Sequence, residues 1–528
     1  MSVPNASWIV GCRFAVGSVF LIICGASVAP NSASEPSDFF EIQVTDKETG
    51  RGVPLVELVT VDQVRRVTDN AGRIAYHEPG HVGETIFFHV RAQGYLVPKD
   101  GFGIEGIRLK IEPGKKAKVA LARINVAERL YRCTGQGLYR DSWLLGHETS
   151  LARPLGAGRV AGQDSVQVVE YRGKLHWFWG DTLRLSYPLG LFRAAGALSE
   201  LPGQGGLPPS MGVNYEYFTG EDDFVRAMAE VAEPKGVVWL DGITVVTGQG
   251  DKPRLVAHFS RRKSLAEELE QGMTVYNDQR NIFEVHASLP LSEEWRFVRG
   301  HPVRMTEEGV MYVASGLVFP LTRVPATLAD AMDPDQYESF SCIAADADPA
   351  TALPERGEDG GLDWRWRRGP PVSQEEERRW LDAKRIRPEE ARFLPEDVAT
   401  GRRVMLHSGT VHFNAYRRKW ILIAVEINLD KESPSLLGEV WYSESTSPQG
   451  PFRKAVRIVT HDKQSFYNPC HHPFFDEKGG RVVYFEGTYC NTFTSSPPTP
   501  RYNYNQVMYR LDLGRDRIVG VFGKRSGE

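Results

Sequence analysis

The feature that most constrains this chain is a strand pair that recurs along its larger, C-terminal part. Two apolar, aromatic-rich runs flank a turn of Gly, Asn, Asp or Arg, about every 40 to 70 residues. The first copy is 165–180. The second joins 236–240 and 243–246 to 254–259, the third spans 303–313, the fourth 411–425 and the fifth 473–486. An isolated hairpin cannot bury its faces in water, whereas radial stacking of such sheets closes a core and protects the edges. The spacing therefore predicts a five-bladed β-propeller over 125–524, with outer strands at 438–445 and 505–512. Two irregular stretches, 182–233 and 346–400, read as loop insertions and leave room for a sixth blade. Each holds a candidate short helix, at 221–231 and at 373–384, the second opening on acidic residues suited to a first helical turn.

Ahead of this region, 34–124 contains short alternating strands, among them Phe39 to Thr45, Val53 to Val59 and Phe87 to Ala92, with Asn70-Ala-Gly72 as a turn. They predict a small β-sandwich, Ig-like or transthyretin-like, so the whole chain is expected to be all-β. Residues 1–33 carry the apolar run Phe14 to Cys24 and then Gly25-Ala-Ser-Val-Ala29. Such a run is short for roughly 30 Å of hydrocarbon, and reads as a signal peptide or, if retained, a membrane anchor. The expectation is an exported bacterial protein, periplasmic, extracellular or at the cell surface, touching membrane only through that segment.

A formal charge of −4 with basic residues spread among acidic ones leaves no footprint for nucleic acid. Cysteine gives little guidance: after the leading segment only Cys133, Cys342, Cys470 and Cys490 remain, without C-x-x-C spacing. Cys470 and Cys490 either meet across a hairpin or stay buried thiols.

In a propeller the innermost strands start around one opening, so a pocket can be assembled from residues far apart in sequence. Four carboxylates are candidates for catalysis: Asp164 before the first inner strand, Asp181 after the aromatic run Trp177-Phe-Trp, Asp241 before Gly242, and Glu486 at the end of Val482-Val-Tyr-Phe. Glycosidic cleavage uses paired carboxyl groups, and burial near aromatic rings raises the pKa of an acid. Turn capping and buried acceptor roles are the competing readings. His301, His407, His412, His471 and His472 are candidates for holding a ligand, as are Trp177, Trp179 and Tyr489, whose flat faces suit sugar rings and equally suit packing between sheets. No resident cofactor or metal is expected; a structural calcium, or a divalent metal on converging histidines, is the secondary reading, since no compact zinc spacing occurs.

Two sets of phrases resemble known families. Gly52-Val-Pro-Leu-Val56 and Thr68-Asp-Asn-Ala-Gly-Arg73 are similar to carboxypeptidase-regulatory-like modules. Gly162-Gln-Asp-Ser165, Trp177-Phe-Trp-Gly-Asp-Thr182 and Trp441-Tyr-Ser-Glu-Ser-Thr-Ser-Pro-Gln-Gly-Pro-Phe452 resemble the five-bladed propeller glycoside hydrolases and related domains, the second phrase pointing toward arabinan-degrading enzymes. The surroundings of His471-His472 and Tyr484-Phe-Glu-Gly-Thr488 look like exported proteins of planctomycete-type bacteria. The resemblance implies a hydrolase acting on a polysaccharide or oligosaccharide. By position Asp164 matches its first acid and Asp241 its second, while the third is missing at His301, leaving Glu486 or Asp181 to substitute. The alternatives are a non-catalytic propeller binding glycans or protein, and a lyase using metal held by the histidines.

Overall fold

The computed structural model describes residues 38–233, 235–345, 347–430 and 435–524. The leading apolar run lies outside them. Among the described residues no helix is long and apolar enough to cross a membrane.

Two four-stranded sheets come first. One orders Arg73–Tyr76, Phe40–Asp46, Lys116–Arg123 and Tyr95–Leu96; the other orders Arg65–Val67, Glu57–Thr60, Thr85–Arg91 and Gly106–Lys110. Alternation along each strand turns Ile42, Val44, Leu58, Ile74, Phe88 and Val90 into one shared apolar core. Buried polar contacts fasten this unit to the C-terminal sheets. Asn70 exchanges two hydrogen bonds with the Arg132 backbone at 2.8 and 2.9 Å, and buried Arg129 donates to the Pro54 carbonyl at 3.0 Å.

Five further sheets of four or five strands lie beyond it, here numbered I to V by their leading edge strands: Gln167–Tyr171, Val237–Thr247, Val303–Glu307, Leu406–Asn414 and Ser465–His471. Sheet V takes Glu128–Arg132, which comes early in the chain, as its last strand beside Asn505–Asp512. Neighbouring sheets share apolar cores pair by pair. Tyr171 and Phe178 of sheet I pack with Phe259 and Tyr276 of sheet II, and Val256 of sheet II with Val313 and Val324 of sheet III. Leu321 meets Leu422 and Trp441 of sheet IV, Ile421 and Tyr442 meet Phe466 and Phe485 of sheet V, and Tyr484 and Met508 return to Trp177 and Trp179 of sheet I. The succession closes on itself. A smaller three-stranded sheet, Val160–Gln163 with Thr182–Arg184 and Tyr187–Leu191, stands beside sheet I.

Several expected elements change. The segment 221–231 forms no helix: the Asp222 carboxylate accepts from the Phe224 amide in a turn, and Ala229–Glu230 adds a parallel strand to sheet II. The helix predicted at 373–384 is present as Gln374–Asp382, with Ser373 and Glu376 closing a capping box. The predicted fifth hairpin is displaced, because Ser465–His471 is the strand that pairs with Val482–Cys490, and 473–480 is a connection containing two short 3-10 turns. Cys470 and Cys490 lie at different levels of that ladder, opposite Glu486 and Ser465, and all four described cysteines are free and buried.

Candidate functional site

A ring of contacts joins the five sheets at or near their leading strands, with a bridge between Gly300 and Gly316 spanning sheet III. Gln167 of sheet I donates to Asp241 of sheet II at 2.9 Å, and Asp241 accepts from the Gly300 amide, just ahead of sheet III, at 2.8 Å. After the second strand of sheet III, the Leu317 carbonyl accepts from Gly409 of sheet IV at 2.9 Å. Ser408 Oγ accepts from the Asn468 amide of sheet V at 3.2 Å, and the Asn468 side chain donates to Ser165 Oγ, just ahead of sheet I, at 2.7 Å. The ring thus links all five sheets at or near their leading strands. Gly300 holds φ +69°, and a Cβ there would sit 2.4 Å from the Gly316 carbonyl oxygen, so its backbone conformation and its close approach to Gly316 require glycine.

Three of the four candidate carboxylates belong to this ring or stand against it. Asp164 precedes Ser165. Its Oδ2 accepts from Tyr467 at 3.0 Å, while Oδ1 is buried without a partner. Burial first, and then the nearby charge of Asp181, push its carboxyl up to about 7, against the smaller opposing effect of the Tyr504 and Tyr467 hydroxyls. Gly180 makes this packing possible, since a Cβ there would lie 2.4 Å from Asp164 Oδ1. Asp181 is also raised by burial, and accepts from Trp239 Nε1 of sheet II at 3.0 Å. Asp241 lies inside one long strand instead of between two short ones. A register shift between Asp241 and Thr244 marks a bulge there, a device that re-aims side chains. Burial raises Asp241 to about 6, opposed by donors from Gly300, Gln167 and Gly242, all of which reach Oδ1.

Glu486 is placed elsewhere. It is 0% exposed between sheets V and I, where Oε1 meets His472 Nε2 at 2.9 Å and Oε2 has no partner. No hydrogen bond or ion pair joins it to Asp164 among the described residues, and a fully enclosed carboxylate cannot reach a polymer. Trp177 and Trp179 are likewise interior, 0% and 1% exposed and stacked 6.3 Å apart, with Trp177 Nε1 bonded to Ser199. Tyr489 is 0% exposed and its hydroxyl is shared between Gln93 and Thr499. These rings fill the spaces between sheets and offer no face to a sugar.

The histidines divide. His407 sits on the ring beside Ser408, its Nδ1 3.2 Å from Oγ, and burial lowers its pKa. His301 directly follows Gly300 and is partly exposed; burial, and then the neighbouring His472, lower it to about 3, so it is a neutral imidazole, with Nδ1 3.4 Å from Cys470 Sγ. His412 packs edge-on against His471 and is held well below the ordinary value, chiefly by burial. His471 is anchored to Asp476 at 2.9 Å and His472 to Glu486. Contrary to the sequence reading, this pair stands at the end of the leading strand and not ahead of it. Among the described residues no group of three or more His, Cys, Asp or Glu is arranged to hold a metal ion.

Sequence reasoning overlooked Gln167, Asn468, Ser165, Tyr467 and Thr488. Ser165 N donates to Thr488 Oγ1 at 2.9 Å, and Ser165 and Asn468 both hold left-handed backbone at φ 53° and 51°. The one available signal was Asn468-Pro469, a pair that interrupts an otherwise apolar strand.

No family model matches the chain, and no curated protein does. Solved structures similar to it include an exo-1,5-α-L-arabinanase from a bovine ruminal metagenomic library, 9% identical, with a TM-score of 0.32 over 67% of this chain and 93% of that one. A Cellvibrio cellulosa α-L-arabinanase complexed with arabinohexaose is 10% identical, with a TM-score of 0.34 over 67% and 92%. The catalytic domain of the Coprinopsis cinerea GH62 α-L-arabinofuranosidase is 9% identical, with a TM-score of 0.31 over 67% and 92%. At such scores these folds decide nothing about the chemistry of these groups.

Proposed function

We propose that sheets I to V are the blades of a five-bladed propeller carrying an N-terminal β-sandwich, and that its opening is the active centre of an exported glycoside hydrolase acting on a polysaccharide or oligosaccharide. The observation that carries this reading is the presence of two buried carboxyl groups, Asp164 and Asp241, on or directly beside one hydrogen-bonded ring, with Asp181 packed near the first. Asp164 is raised to about 7 and Asp241 to about 6. Burial holds both above the ordinary carboxylate range, and acid–base cleavage of a glycosidic bond needs one such group to keep its proton near neutrality while a second is ionised. Asp164 then protonates the leaving oxygen, Asp241 activates water or attacks, and Asp181 sustains the high pKa of Asp164. Glu486 takes no part in this scheme. Export is supported by the Phe14 to Cys24 run and the small residues after it.

Reducing-end release from a panel of glycans tests the reading. A substrate cleaved by the wild type should be cleaved at least about 10²-fold more slowly by Asp164→Asn and by Asp241→Asn, within the range for losing a general acid or base. Unchanged rates in both variants would remove the assignment. If binding persisted with no cleavage of any glycan, the protein would be a glycan-binding propeller.

A further inference from the structure

The fold treats the two oxygens of Asp164 differently. Oδ1 is buried without a partner against Gly180, and Oδ2 accepts from the Tyr467 hydroxyl at 3.0 Å. The residue as a whole keeps partial exposure, so Oδ2 is the oxygen left for a ligand. A second phenol, Tyr504, hydrogen-bonds the same carboxyl. We propose, on the reading of Asp164 as the acid, that Tyr467 and Tyr504 are positioning residues of the hydrolytic reaction. They fix the turn of this carboxyl and stabilise the carboxylate it becomes when it gives up its proton.

Both hydroxyls come from far along the chain, and the backbone around each is tied to Asp164. Tyr467 lies on the leading strand of sheet V opposite Thr488, whose Oγ1 accepts from the amide of Ser165, the residue after Asp164. Tyr504 holds left-handed backbone at φ 60°, a conformation bulky residues rarely adopt and which persists only where neighbours over-determine it. Asn505, 0% exposed, does so here: its amide donates to the Ala161 and Asn503 carbonyls at 3.2 Å, and its Oδ1 accepts from Thr134 at 2.9 Å. Ala161 belongs to the strand that leads into Asp164, and a Cβ on Gly162 would lie 2.5 Å from the Tyr504 carbonyl oxygen.

As Asp164 protonates the leaving oxygen, its O–H bond breaks and the electron pair of the glycosidic C–O bond passes to that oxygen. A negative charge then appears on a carboxyl whose burial disfavours the anion. A phenolic O–H bonds a carboxylate more strongly than a neutral acid, so the two donors act where charge develops. Burial, and then the charge of Asp164, raise both phenols above the ordinary value, so they stay protonated and keep donating. Asp181 and the buried thiol of Cys490 are the other titratable groups facing this carboxyl.

Tyr467→Phe and Tyr504→Phe test this in the full chain, each alone and combined with Asp164→Asn. On a glycan the wild type cleaves, each single variant should lower kcat at least about tenfold. The alkaline limb of its pH profile should move to higher pH, because a donor to the charged form is gone. A purely structural loss would slow the reaction and leave the limb in place. In the Asp164→Asn background neither phenol should matter further. Urea denaturation across pH reads the same contact without any substrate. The stability that Asp164 contributes, measured against Asp164→Asn, is lost as pH rises through its folded pKa, so in either Phe background that loss should extend about one pH unit higher. Wild-type cleavage rates in Asp164→Asn would remove the hydrolase reading. A full loss in Asp164→Asn, with neither limb nor stability interval moved in the two Phe variants, would overturn this inference alone.

Discussion

The side-chain amide of Asn468 donates to Ser165 Oγ at 2.7 Å, joining the last leading strand to the approach of the first, with both residues in left-handed backbone. Left-handed conformations cost non-glycine residues roughly 1–2 kcal/mol, less for Asn, and persist where surrounding contacts over-determine them. Here the contacts are Ser408, Thr488 and each other.

Asn468→Ala should therefore lose both the closing bond and the tolerance for this backbone, destabilising the fold by about 1–3 kcal/mol. Asn468→Gly loses only the bond and should be milder. Urea denaturation of the two variants checks the order; equal losses would locate the effect in the bond alone.

Gly180→Ala should act on Asp164 directly, since the new methyl must displace Oδ1 or the strand end. A fall in hydrolysis rate with a cooperative melt is expected, measured by reducing-end release and calorimetry. An unaltered rate would mean the carboxyl position is not critical.

Glu486 and His472 form a fully buried pair between sheets V and I. Removing one partner of such a pair costs about 3–5 kcal/mol, so Glu486→Ala should lower stability sharply. Glu486→Gln, which keeps a hydrogen-bonding group, should fold and retain most activity. Normal stability with abolished activity in Glu486→Gln would return this residue to the catalytic site.

The pH dependence of stability follows from the raised Asp164 value. The folded chain holds this proton more tightly than the unfolded one, so the stabilisation is complete below about pH 4 and is lost as pH rises toward 7. Against the wild type, Asp164→Asn should thus gain stability progressively over that interval and be the more stable at pH 8 by on the order of 1 kcal/mol or more. Asp181, Tyr467 and Tyr504 face the same carboxyl and remain in the variant. Parallel stability curves for the two proteins would contradict the burial of this charge.

Much of the fold was legible in the chain. The hairpins at 165–180, 303–313 and 411–425 follow from apolar residues recurring on both sides of Arg172-Gly173, Glu308-Gly309 and Arg417-Arg418, and each contains a left-handed turn residue. The fifth was misplaced because Asn468-Pro469 disguises the true strand as a turn, while Pro473 and Gly479-Gly480 imitate one. The apparent helix at 221–231 has helix-like spacing of Phe224, Met228 and Val231, yet those side chains are drawn into cores beside sheets I and II. Asp164 and Asp241 were singled out by the glycines and apparent strand starts beside them in the sequence, although Asp241 lies inside one long strand. Glu486 and the tryptophans were mistaken for site residues because an aromatic strand with a terminal acid looks alike whether it faces a channel or a neighbouring sheet. Burial by a partner hundreds of residues away leaves no local trace.

The most direct test is the pH profile of kcat/KM on a glycan the wild type cleaves. With both carboxyl groups raised by burial, activity should fall on the acid side as Asp241 takes up a proton and on the alkaline side as Asp164 loses one. The acid limb should vanish in whatever activity Asp241→Asn retains. A rate that stays level from pH 5 to 9, or keeps both limbs in that variant, would contradict the pairing of these two carboxyl groups.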